Sequence, residues 1–216
     1  MKLPAVILTA AALCAGAAAF ALSPEDKNAL AAAEKSLASY SAAPYPQAAF
    51  PQLAIREILT ASPQPATFEQ LAAAVTAAAE KTTFESDDRR QALYDRAVVS
   101  ASLWRFGGKF VAGGYQYAKG HGISDPYFCL HAEKIGLSEA EELAYFVELF
   151  ERASKGDLWI FKSRHERFNR LLNHVPEAEA KAILKRLNRA YSPKLVTDKA
   201  AYEPVVAMIR TMLETY

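Results

Sequence analysis

The stretch LWIFKSRHERFNRLLNHV, Leu158 to Val175, decides the fold class. Leu158, Phe161, His165, Phe168, Leu172 and Val175 recur at intervals of three and four, the spacing of one face of an α-helix. Downstream, Pro176 restarts the chain, and Ile183, Leu184, Leu187 and Tyr191 face inward in the same way. A last helix follows from about Asp198 or Pro204, with Val205, Met208, Ile209 and Met212 on its apolar side.

Upstream, Ser138-x-x-Glu141 is a capping box. It opens a helix through Leu143, Phe146, Val147, Phe150 and Ala153 to Gly156. Helix starts at Ser138, Asp157 and Pro176 are spaced about 19 residues apart, near half the period of 34-residue helical repeats. The residue pattern of such a repeat family is absent. Ser124-Asp125-Pro126 caps a short helix carrying Tyr127, Phe128, Cys129 and His131, closed by Gly136.

Further upstream, Ser86-Asp87 starts a long seam of Leu93, Ala97, Ser100, Trp104, Gly107, Val111, Gly114 and Ala118. Each glycine inside a helix costs about 1 kcal/mol relative to alanine. Gly107, Gly108, Gly113 and Gly114 therefore predict close approach by a second helix. A hairpin turning at Gly113-Gly114 is the alternative; the unbroken three-four spacing favours the helix.

Before Ser86 the composition changes. Pro44, Pro46, Pro51, Pro63 and Pro65 mark a connector, with room for a short helix at Gln52–Thr60. Thr67-x-x-Gln70 is a second capping box, opening an Ala-rich helix to about Lys81. No stretch alternates convincingly at period two. The expected fold is all-α: a core domain over 86–216, preceded by an Ala/Pro-rich helical arm over 22–85. Together they make about seven to eight helices packed as antiparallel hairpins.

The first 21 residues, MKLPAVILTAAALCAGAAAFA, read as a signal peptide. Lys2 is the basic end, Leu3–Leu13 the apolar centre, and Ala19-Phe20-Ala21 the small-x-small cleavage signal. Ser23-Pro24-Glu25-Asp26 then starts a helix. Cys14 follows Leu13, too bulky a neighbour for lipoprotein processing. Cleavage near Ala21 implies a periplasmic or secreted protein. The absence of any Asn-x-Ser/Thr sequon favours the bacterial periplasm. Losing Lys2 leaves 24 basic against 24 acidic residues. That balance argues against a general nucleic-acid or membrane-surface binder. Cys129 is the one mature cysteine, so no internal disulfide forms.

Three groups of residues are candidate sites. Cys129 and His131, with His121 upstream, are the constellation for a hydrolase or a thiol- or metal-dependent enzyme. Residues two apart on a helix diverge by about 200°, however, and a free cysteine is usually buried. Trp104, Gly107, Gly114, Tyr115 and Tyr127 could line a pocket where small residues meet aromatics. Charge asymmetry is the third lead. Glu133–Gly156 holds six acidic and three basic residues, whereas Asp157–Lys199 holds ten basic and five acidic ones. Arg164, Arg167 and Arg170 on one helix and Lys185, Arg186 and Arg189 on the next form a docking face for a protein with an acidic surface. The competing reading is that neighbouring acidic and basic helices neutralise each other.

His165 lies on the apolar seam of its helix and reads as a hydrogen-bonded core residue. Glu139, Glu141, Glu142, Glu148 and Glu151 read as a solvated outer face. There is no nucleophile elbow, phosphate loop, HExxH, dinucleotide fingerprint or haem-attachment motif. No cofactor or metal is expected, and the residues point to an exported helical binding or inhibitory protein.

Overall fold

The computed structural model describes residues 22–40, 43–105, 108–156, 158–192 and 199–216. The expected leader lies outside the described residues. Helices dominate, and among the described residues none is long and apolar enough to cross a membrane. The chain divides between Arg90 and Gln91 into two compact units.

In the first unit, α1 (Pro24–Leu37) starts as its sequence dictates. Ser23 Oγ accepts the Asp26 amide at 3.1 Å, with Pro24 in the first turn. The proline-rich stretch is more than a connector. It holds β1 (Tyr45–Pro46) and α2 (Phe50–Thr60), with Pro51 in the first turn of α2. There the missing amide would have had no helical partner in any case. The Thr67–Gln70 capping box forms in both directions and opens α3 (Phe68–Glu80). β2 (Thr82–Thr83) then pairs in parallel with β1. α2 packs against both α1 and α3, and Phe50, Leu53, Leu71 and Val75 are fully buried in the unit's own core.

α4 (Asp87–Ser100) spans the division, capped by Ser86 Oγ on the Arg89 amide at 3.2 Å. Here the sequence and the structure part. The predicted continuous helix to Ala118 ends in a π-helical turn over Ala101–Arg105, and a new helix, α5 (Val111–Gly120), begins beyond it. The physical reason lies at Gly108, whose φ of +73° is left-handed, a conformation that strains residues bearing a Cβ. A Cβ added there would also sit 2.7 Å from Cε1 of the His131 ring. The close neighbour is thus an imidazole rather than a second helix. Gly113 and Gly114 are helical within α5, so the hairpin does not form.

A 3-10 segment (Pro126–His131) leads into the one-turn α6 (Ala132–Ile135), closed by Gly136 at φ +68°. Then come α7 (Glu139–Ala153), α8 (Leu158–Leu172), α9 (Glu177–Ala190) and α10 (Lys199–Thr215). The described residues therefore hold ten α-helices, more than the seven to eight that the sequence predicts. The split between α4 and α5 and the formation of α2 within the proline-rich stretch account for the excess. α7 packs against α8 and α9, and α10 against the same two.

Phe150 of α7 is central to this core. Its ring lies 4.6 Å from Phe161 and 4.9 Å from Phe168, both on α8. Its carbonyl accepts the buried Tyr191 hydroxyl at the end of α9, at 2.8 Å. A second cluster of Val99, Leu103, Val111, Tyr115, Ala118 and Phe128 fills the space around α5.

Candidate functional site

Four elements of the second unit converge on a cleft of about 460 Å³. The 3-10 segment contributes Cys129 and Leu130, held in place at its start by Asp125 Oδ1, which accepts the Tyr127 amide at 3.0 Å. α6 and the turn after it add Ala132, Glu133 and Leu137, and α7 adds Glu142 and Phe146. α8 supplies Arg164, Arg167 and Arg170. Steps of three residues turn an α-helix by about 300°, so these arginines fan across roughly a third of its circumference.

The middle arginine is fixed. Arg167 Nε and Nη2 donate to the two oxygens of Glu142 at 3.0 and 2.5 Å. The Glu142 side chain is only 8 % exposed, against 37 % for Arg167. These hydrogen bonds hold the guanidinium pKa above its ordinary value. The sequence placed Glu142 on a solvated face; instead it is buried beside Leu143 and Phe146. Its position four residues before Phe146 on the same helix was the available signal. Arg164 and Arg170 are exposed, and neither makes an ion pair or hydrogen bond with any of the described residues.

The basic residues of α9 are arranged differently. Arg186 forms a two-point pair with Glu151 at 2.5 and 2.7 Å. Lys185 and Arg189 are exposed. Glu142 and Glu151 are nine residues apart on α7, which puts them about half a turn out of phase. Arg167 and Arg186 therefore grip α7 from opposite sides.

The thiol and histidines of the enzyme reading have separate partners. Cys129 is 4 % exposed and packs into the core with Phe146 and Phe168. Burial pushes its pKa far up, and the nearby Glu142 charge adds to this, so the neutral thiol is the resting form. His131 sits under Gly108 and hydrogen-bonds the Leu103 backbone. Desolvation, with the positive charges of Lys134 and Arg164, lowers its pKa. His121 stacks on Tyr117 with ring centroids 4.0 Å apart, and its Nδ1 lies 2.9 Å from the Tyr117 carbonyl. Among the described residues, no three His, Cys, Asp or Glu side chains are grouped to hold a metal ion.

The remaining candidates disperse. Gly107 and the side chain of Trp104 lie outside the described residues. Gly114 and Tyr115 are buried on α5, where Tyr115 meets Phe128 edge-on at 5.3 Å. Tyr127 lines a different cleft with Asp95, Arg96 and Arg152, and the Arg152 guanidinium lies 5.2 Å from its ring centre. His165, expected in the core, is half-buried, with Nδ1 3.0 Å from the Lys162 carbonyl. His174 Nδ1 is 2.7 Å from Glu139. Comparison with protein family models, with curated proteins and with solved structures finds no match to this chain.

Proposed function

We propose that this chain is an exported helical binding protein that recognises an acidic surface on another protein, with α8 as its contact helix. One observation carries the reading: Arg164 and Arg170 stand exposed and without an ion pair among the described residues, lining a cleft. Uncompensated guanidinium groups attract carboxylates and can bind them in two-point fashion. Salt bridges already made inside the fold, such as Arg186 with Glu151, offer a partner less. The leader pattern of residues 1–21 and the Ser23 cap immediately beyond it support export. The scaffold reads as two antiparallel hairpins, α7 with α8 and α9 with α10, which keeps the outer sides of α8 and α9 open.

The test is site-specific photo-crosslinking in the native compartment. A crosslinker in place of Ser163, within the arginine arc of α8, is expected to give a discrete adduct. One in place of Ala182 on α9 is expected to give none. The Arg164→Glu/Arg170→Glu variant should lose the adduct while keeping its helical circular dichroism. An adduct that survives this charge reversal overturns the reading. The mature mass should begin at Leu22; retention of the first 21 residues would remove export from it.

A further inference from the structure

We infer that the cleft beside α8 is a peptide-anchoring site: it takes an apolar side chain of the partner, bracketed by two carboxylates that Arg164 and Arg170 bind. This rests on the proposed protein-binding function and specifies its ligand. The cleft combines two chemistries. Two cations without an ion pair line it together with the apolar side chains of Leu130 and Leu137 and, more deeply buried, Cys129 and Phe146. A volume of about 460 Å³ is in the range that encloses a small ligand or a few side chains. Burying one large apolar side chain there supplies the affinity that exposed salt bridges alone do not.

The spacing fits this ligand. Arg164 and Arg170 are six residues apart on α8, about 9 Å along the axis. In an extended peptide, side chains on one face recur about every 6.5–7 Å. Acidic, apolar and acidic residues on that face span about 13 Å, within reach of two long, flexible arginines. Arg167 lies between them. Its bond to Glu142 fixes its orientation, so it holds one wall of the site in place.

An acidic residue in the cleft argues against a polyanion. Glu133 is exposed and lines the same cleft as the arginines. A continuous row of phosphates would meet it, whereas a peptide with two separated carboxylates need not. A nucleic acid or an anionic lipid surface would also leave the apolar lining unused.

The test uses the mature chain and a labelled Glu-Ser-Phe-Ser-Glu peptide, read by fluorescence anisotropy. Binding is expected to weaken about tenfold when Ser replaces the Phe of the peptide, and about tenfold again when Gln replaces both Glu residues. Arg164→Glu/Arg170→Glu should abolish binding, and Arg164→Gln/Arg170→Gln, which removes the charge and keeps a polar side chain, should weaken it about tenfold. Lys185→Glu/Arg189→Glu on α9 should leave it unchanged. Arginine-dependent binding that ignores the Phe-to-Ser change overturns the anchoring site and leaves the acidic-partner reading standing. Absence of peptide binding, with the Ser163 adduct still formed, does the same. Equal, arginine-dependent binding of single-stranded DNA or of phosphatidylglycerol vesicles overturns both.

Discussion

α8 and α9 carry four basic residues each and end as different surfaces. Each is a basic amphipathic helix, and each sends one arginine into a two-point pair with a glutamate of α7. On the α8 side the glutamate is buried and its arginine is 37 % exposed. On the α9 side Arg186 is 61 % exposed and Glu151 26 %. Arg164 and Arg170 of α8 line a cleft of about 460 Å³ with Cys129, Leu130 and Phe146, whereas Glu148, Glu151 and Lys155 line one of about 530 Å³ with Ala190. Charge count alone does not distinguish the two helices. What distinguishes them is what the neighbouring elements place beside each charge.

The largest expected effect concerns the apolar lining of the α8 cleft. If it is dry, Cys129 in the native protein should react with a thiol reagent at pH 8 at least about a hundredfold more slowly than in the denatured chain. Fast native labelling would make the α8 side as open as the α9 side. Next comes the residue common to both sides, Phe150. Phe150→Ala should cost about 3–5 kcal/mol in a denaturant titration, by lost burial and a residual cavity. A loss under about 1 kcal/mol would mean that α8 and α9 do not share a core through α7.

The two ion pairs give the most direct contrast. Glu142→Gln leaves Arg167 unpaired beside a buried amide and should cost about 1–2 kcal/mol, moderated by the exposure of Arg167. Glu151→Gln should cost about 0–1 kcal/mol, the range of exposed pairs. Equal losses would erase the distinction.

The smallest effect is a pH dependence on the α8 side. Desolvation lowers the pKa of His131 in the fold, so the unfolded chain takes up its proton first as the pH falls below about 6.5. Stability from this residue is complete above that value and is lost on acidification. In His131→Gln, the decline in unfolding free energy between pH 7 and pH 5.5 should be shallower. An unchanged slope would show that the ring is not held neutral by its surroundings.

What the sequence made legible was local. The spacing within α8, the capping boxes at Thr67 and Ser138 and the Ser23 cap all lie within a few residues of the features they determine, and each appears in the structure. What it hid depends on partners far along the chain. The imidazole that occupies the space over Gly108 comes from residue 131, so the break between α4 and α5 left no mark on the three-four spacing. Glu142 is buried because Arg167, 25 residues later, takes both its oxygens. His165 misled in the other direction. Its place on the seam was correct, yet the packing stops short of it and leaves the ring half-buried.

Gly108 and Gly136 have nearly the same backbone angle, +73° and +68°, but a side chain at 108 meets the His131 ring, whereas one at 136 meets open space. In a saturation library selected for folded protein, position 136 should admit asparagine alongside glycine, and position 108 should return glycine alone. A reader of that library would be tempted to assign residue 108 a catalytic duty, when all it does is make room for an imidazole.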